Sequence, residues 1–195
     1  MDESRPYFLM MAGPNGVGKS TCVAHFLPVG VPSINADDIA RALADRQTRE
    51  AEIRAARIAL ERMDEAEARR ESFATETTLA SRTLASRAIR LQRQGYFFHL
   101  VYIWSPSPQF SVDRVASRVL HGGHDIPEDT IRRRWLGGLK NFFSLYQPIA
   151  DQWEVVDNTD LGPPRQIATG QRKGPFEIFD QATWDQISRR ATDAT

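Results

Sequence analysis

Apolar positions along this chain alternate between short strand-like runs and longer stretches with helical spacing. The runs around YFLMMA (6–12), YFFHLVYIW (96–104) and WEVVDN (153–158) read as strands. The second is apolar on both faces, as a strand buried inside a parallel sheet must be. VPSINA (31–36) and SFATET (72–77) fit shorter strands. Helices are expected at 19–27, from DDIARAL onward, at about 48–70, at 79–95 and at about 109–121. In the third of these, Ile53, Ala56, Leu60 and Met63 recur every three or four residues, with charges on the other faces. Asp37 or Asp38 suits the cap of the DDIARAL helix, and Gly95 suits a C-terminal stop. A further helix enters at Pro127, with Glu128 and Asp129 at its positive end, and runs through RRRWLGGLKNFFSLY. The tail RQIATGQRKGPFEIF reads as two strands around a Gly-rich turn, a hairpin at about 165–180. Strand–helix alternation of this kind predicts an α/β fold around a parallel sheet, with residues 1–195 as one domain.

Composition narrows the function classes. Twenty-five basic and 25 acidic side chains cancel, so no strong field favours nucleic acid or an anionic membrane surface. Lys19, Lys140 and Lys173 are the only lysines in a chain that otherwise uses arginine, which makes the lysine after Gly18 conspicuous. Cys22 is the single cysteine, so no internal disulfide forms, and a cytoplasmic location is expected. No apolar run reaches membrane-spanning length, and MDESRP lacks the basic start and apolar core of a signal peptide.

The segment AGPNGVGKST (12–21) carries the chemistry. Gly13, Gly18, Lys19 and Ser20 satisfy G-x-x-x-x-G-K-[ST], between a strand and a helix start. Such glycines let backbone N–H groups wrap a phosphate, and the helix N-terminus points at the same anion. Residues 13–21 (Gly13, Pro14, Asn15, Gly16, Val17, Gly18, Lys19, Ser20, Thr21) are therefore the expected cradle of a nucleoside triphosphate. Lys19 reaches β- and γ-phosphates, the Ser20 hydroxyl binds Mg²⁺, and Thr21 approaches the α-phosphate. A base-reading N-K-x-D is absent, which argues against a GTPase, and FFHLVYIWSP does not end in the acidic residue that switch and motor ATPases use.

A phosphotransferase also needs a carboxylate beside the γ-phosphate and arginines to neutralise charge during transfer. SINADDIARAL supplies Asp37 after the second strand, at the edge where such sheets gather ligands; it reads as a general base or a helix cap, and the two roles can coexist. Glu76 in FATETT ends the third strand and suits an acceptor hydroxyl or a magnesium-bound water. Arg114 and Arg118 share one helix face, Gly122 and Gly123 offer a hinge, and Arg132, Arg133 and Arg134 follow Pro127. Together they make residues 109–134 a candidate lid over the triphosphate. His121 and His124 alone make a weak metal site, without paired carboxylates nearby. Trp135, Trp153 and Trp184 read as packing residues, and GQRKG (170–174) as a solvated hairpin turn more than an approach to adenine.

Taken together, GPNGVGKST, NADDIA, TETT and RVxxRVxxGGHDIPEDTIRRR resemble the zeta-toxin family of P-loop kinases, and among them the short members described only as predicted ATPases. The resemblance runs from about Tyr7 to Asn158. It implies a P-loop kinase-like three-layer sandwich with a mostly parallel, about five-stranded sheet and a helical lid. It implies ATP with Mg²⁺, and transfer to a hydroxyl of a UDP-activated amino sugar. Asp37 falls at the family's general-base position, Glu76 at its substrate-contacting acid, and Arg118 (or Arg114, one turn earlier) at the first lid arginine. The second lid arginine is replaced by His124, which shifts weight to Arg132–Arg134; Arg133 is the one assigned to the nucleotide. A separately encoded antitoxin partner follows from the same resemblance. A polynucleotide or other metabolite kinase, and a nucleotide-dependent binding protein without catalysis, are the competing readings; neutral charge argues against a long nucleic-acid acceptor.

Overall fold

The run at 7–12 becomes β1 (Tyr7–Ala12), and all six residues are buried. In this computed structural model, which describes residues 5–43, 48–123, 125–160 and 162–193, β1 lies at the centre of a sheet. It pairs in parallel with β3 (Phe73–Thr77) on one side and β4 (Phe97–Trp104) on the other. The two-residue β2 (Ser33–Ile34) adds outside β3, and β5 (Gln152–Asp157) outside β4, both parallel. The tail hairpin, β6 (Arg165–Gln171) and β7 (Phe176–Ile178), joins antiparallel. The order is β2-β3-β1-β4-β5-β6-β7, so the expected five-stranded parallel core is extended to seven strands. Ile167 and Ala168 explain the extension: β6 has a buried face, so the hairpin stays on the sheet.

Alternation along β1 builds three layers. Phe8, Met10 and Ala12 face a large core shared with α3 (Arg49–Ala68), α4 (Thr83–Arg93) and α6 (Glu128–Asn141). Tyr7, Leu9 and Met11 face a smaller one closed by α1 (Lys19–Phe26), where Cys22 is buried and unpaired. The helix α5 (Pro108–Leu120) meets α6 through a separate cluster of Val115, Ile126 and Ile131.

Several boundaries differ from the sequence expectation, each for a local reason. Neither Asp37 nor Asp38 caps α2 (Ala36–Leu43); the Asn35 side chain does, accepting the Asp37 N–H at 2.9 Å. The segment 79–82 is a turn before α4, because Leu79 is left-handed (φ 56) and its N–H is taken by the Thr77 hydroxyl. Gly122 and Gly123 close α5 as a two-bond stop, their N–H groups reaching Val119 and Arg118 carbonyls at 3.0 Å each. Beyond Asn141 the chain widens into a π-helical turn, Phe142–Tyr146. A last helix, α7 (Gln181–Asp193), was not expected from the sequence; Trp184 and Ile187 bury it. Trp184 stacks on Trp153 with centroids 5.8 Å apart, and Trp135 is also buried, so these tryptophans pack the core. Among the described residues no helix is long and apolar enough to cross a membrane.

Candidate active site

The C-terminal ends of β1, β3 and β2 open onto a cleft of about 410 Å³. Asn15 and Lys19 line it from the P-loop, Asn35 and Asp37 from the start of α2, Glu76, Thr77, Thr78, Ala80 and Ser81 from the end of β3 and the turn after it, and Arg133 and Arg134 from α6.

The loop itself is gripped on both flanks. Gly18 is the N-cap of α1 at φ 84, and a Cβ there would stand 2.6 Å from the Asn158 amide nitrogen. That nitrogen donates to the Val17 carbonyl at 2.9 Å, latching the end of β5 onto the loop. On the other flank α5 packs against Gly16, and Arg114 Nε donates to the Gly16 carbonyl at 3.4 Å. Gly13 donates to the Thr77 carbonyl at 3.2 Å, and Val17 is buried beneath the loop. Asn15 is buried too, and its Oδ1 has no partner among the described residues. Lys19 folds back over the loop, its ammonium donating to the Gly13 and Pro14 carbonyls at 3.0 and 2.9 Å. Burial brings the Lys19 pKa down to about 8; Glu76 and Asp37 oppose the shift, and Arg118 and Arg134 add to it. Thr21 is exposed on the first turn of α1, its N–H bonded to the Gly18 carbonyl at 3.1 Å.

Glu76 ties the cleft together. One oxygen accepts the Ser20 hydroxyl at 3.0 Å and the other accepts the Asn35 amide at 2.8 Å. Burial raises its pKa above the usual carboxylate range, against the pull of Lys19. Asp37 is exposed in the cleft wall, whereas Asp38 pairs with Arg41. Ser20, Glu76 and Asp37 are hard oxygen donors. Among the described residues no cluster of three or more His, Cys, Asp or Glu could cage a metal. That set suits magnesium, which keeps waters and phosphate oxygens as most of its ligands.

The arginines divide. Arg134 lines the cleft and, with Arg118, acts on the Lys19 ammonium. Arg133 lines the cleft as well. Arg132 does not: it bonds Glu128 at 2.7 Å and also Gln109, which directs it to α5. Arg114 lies on the P-loop backbone. His124 falls outside the described residues. The turn after Gln171 sits beside Gln152, at the start of β5, so GQRKG lies at the end of the sheet opposite the P-loop. Asn158, which latches the P-loop, and Arg134, which lines the cleft, had no role of their own assigned from the sequence. Their signals were a strand-end position and membership of an arginine run.

Residues 8–142, from β1 past the end of α6, match the family model described as an AAA domain. The chain belongs to this AAA domain family, AAA_33. An uncharacterized protein of Haemophilus influenzae is 30% identical to this AAA-domain chain over 127 residues, covering 65% of it and 91% of the relative. Among solved structures, a chain of the AvrRxo1-ORF1:AvrRxo1-ORF2 complex with sulphate ions has a TM-score of 0.74 at 13% identity. That match covers 96% of this chain, which spans 65% of the length of the other. The same complex with ATP has a TM-score of 0.70 at 13% identity, over 94% of this chain and 64% of that one. A chain of the PezAT chromosomal toxin-antitoxin system of Streptococcus pneumoniae has a TM-score of 0.62 at 13% identity, over 100% of this chain and 89% of that one. The fold is thus an α/β P-loop kinase-like fold with a mostly parallel sheet.

Proposed function

We propose that this protein is an ATP-dependent phosphotransferase with an alcohol acceptor, a small-molecule kinase of zeta-toxin type. The observation that carries the reading is the shared cleft: Lys19 of the P-loop, the exposed carboxylate of Asp37, Glu76 and the arginine pair line one space. The ATP-bound complex among the structural neighbours supports a triphosphate on residues 13–21. There the loop N–H groups hold β-phosphate oxygens, and Lys19 leaves the Gly13 and Pro14 carbonyls for the β- and γ-phosphates. Ser20 and the Glu76 carboxylate would hold Mg²⁺ directly or through water. When bound, the ion neutralises charge on the β- and γ-phosphates. Arg118 and Arg134 spread over the transferring group. Asp37 accepts the acceptor's hydroxyl proton as that oxygen bonds Pγ and the bond from Pγ to the β,γ-bridging oxygen breaks, releasing ADP.

The resemblance makes a UDP-amino sugar the first acceptor to test, and PezAT, a toxin-antitoxin system, supports a search for a separate antitoxin protein. The deciding experiment is a screen of hydroxyl-bearing metabolites, UDP-sugars included, for ATP-dependent phosphorylation, repeated with Asp37→Asn. Phosphate incorporation that survives Asp37→Asn at the full rate refutes the assigned base. A protein that binds an ATP analogue and phosphorylates nothing supports the non-catalytic alternative.

A further inference from the structure

The cleft has more cationic capacity than the triphosphate end uses. Arg134 and Arg118 are the guanidiniums acting on the Lys19 ammonium. Arg133 immediately precedes Arg134 on the helix, about 100° round from it, yet it also lines the cleft. Its present ties are weak. They are an exposed pair with Asp129 one turn away at 3.8 Å and a bond to the Thr130 hydroxyl at 3.2 Å. Such exposed pairs within a helix are easily exchanged for a better anion.

The helix that carries Arg133 is also fastened to the opposite wall. Gly138 is pressed against the Thr78 carbonyl, Asn141 donates to the Leu79 carbonyl at 2.6 Å, and beyond the helix Tyr146 donates to the Ser81 carbonyl at 2.6 Å. Arg133 is therefore held at a set distance from the Thr77–Ser81 wall, which suits a residue that measures an acceptor. That wall offers hydroxyls from Thr77, Thr78 and Ser81, and the described lining contains no aromatic ring on which a nucleobase could stack.

We propose that Arg133, which the family resemblance assigns to the nucleotide, instead binds an anionic group on the phosphate acceptor, and that the acceptor is a compact polyhydroxylated carboxylate or phosphate ester, with its reacting hydroxyl at Asp37. This rests on the phosphotransferase reading above. Arg133 recognises the anion through its planar fork, and the wall hydroxyls orient the remaining alcohol groups. A nucleoside attached to the acceptor would meet no aromatic ring among the described lining residues, and the compact anion is the part of the acceptor that Arg133 reads.

The test is ADP release by the full chain with ATP and Mg²⁺ on matched compounds. Glucose, glycerol and N-acetylglucosamine are the neutral members. Gluconate, glycerol 3-phosphate and N-acetylglucosamine 1-phosphate are their anionic counterparts, and UDP-N-acetylglucosamine is the nucleoside-bearing arm. Turnover is expected with an anionic member only, the carboxylate and phosphate arms identifying which anion is recognised, and UDP-N-acetylglucosamine is expected to be no better than the sugar phosphate. Arg133→Gln should raise the KM of the best acceptor roughly 10–100-fold, with kcat and ATP-analogue affinity little changed. Arg133→Lys should recover part of the loss. Glutamine is a good helix former at this exposed position, and a matching thermal melt establishes folding. A neutral compound used as well as its acid, or an unchanged KM in Arg133→Gln, overturns the proposal. So does failure of every anionic compound while an ATP analogue still binds. Failure to bind the analogue at all instead refutes the kinase reading itself.

Discussion

Alanine at Gly137 and at Gly138 should move stability in opposite directions, although the two are neighbours in one helix. Both lie in the interior of α6, where glycine costs about 1 kcal/mol relative to alanine. A Cβ on Gly137 would meet only Ala80, at 3.9 Å and beyond, which is ordinary contact. Gly137→Ala therefore keeps the helix gain and should raise the Tm by about 2–4 °C for a chain of this size. A Cβ on Gly138 would stand 2.2 Å from the Thr78 carbonyl oxygen and 3.4 Å from its carbon. Both are backbone atoms, so relief requires α6 and the 77–81 turn to separate by roughly 1 Å. Overpacking of that kind costs about 1–3 kcal/mol, or more where backbone must move. After the helix gain is subtracted, Gly138→Ala should lose up to about 2 kcal/mol, a fall of up to about 8 °C. Because the displaced turn is a wall of the cleft, the same variant should also raise the acceptor KM more than that for ATP. Thermal melts of the two variants beside the parent are sufficient for the stability test. Shifts of the same sign and size would refute the contact on which the reasoning rests.

Asp37→Asn should retain ATP-analogue binding while lowering transfer by about 10²–10⁴-fold, and Asp38→Asn, whose carboxylate is occupied by Arg41, should act like the parent in the same assay. Lys19→Ala should abolish or severely weaken nucleotide binding in a fluorescent-analogue titration. In the parent, a free-state Lys19 pKa of about 8 means the ammonium is charged below that pH and neutral above it. Affinity should then be level below pH 8 and fall by up to about tenfold per pH unit above it, and a level profile to pH 9.5 would contradict the assignment. Hydrogen exchange across 109–134 should slow when an ATP analogue and acceptor are both present, since α5 and the start of α6 meet through a small apolar cluster and an exposed Arg132–Gln109 bond; equal exchange with and without ligands would remove the lid.

Much of the fold was legible because its signals are local. The fully buried β1 appears as an unbroken apolar run and β4 as one interrupted by His99, and the P-loop is a contiguous motif whose strand-before, helix-after context lies within twenty residues. Glu76 and Asp37 were legible for the same reason, as the carboxylates that follow strand ends. What was missed depends on partners far along the chain. Asn35 was passed over as a cap because two aspartates beside it have the same propensity, and its other role, donating to Glu76, needs β2 and β3 to be adjacent. The closing helix α7 shows little in its own sequence. Its burial comes from Trp184 meeting Trp153, and from Arg190 lying over the Trp104 and Trp135 rings at 5.7 Å each.

The same distinction separates the arginines. In RRRW three identical side chains carry one local signal, and nothing in their order says which faces the cleft. The answer lies in their neighbours. Gln109 on α5 and Glu128 draw Arg132 away, while Trp135 and Leu139, buried in the main core, set the rotation of α6 that turns Arg133 and Arg134 inward. A helix has one rotation about its axis, so the burial of Trp135 and the aim of the arginines are a single choice. It follows that a change such as Trp135→Ala, at a residue that does not line the cleft, should disturb acceptor use as well as stability. Arg133→Gln should disturb acceptor use alone. That contrast, read in one melt and one KM measurement on each variant, separates the residue that binds from the residue that orients.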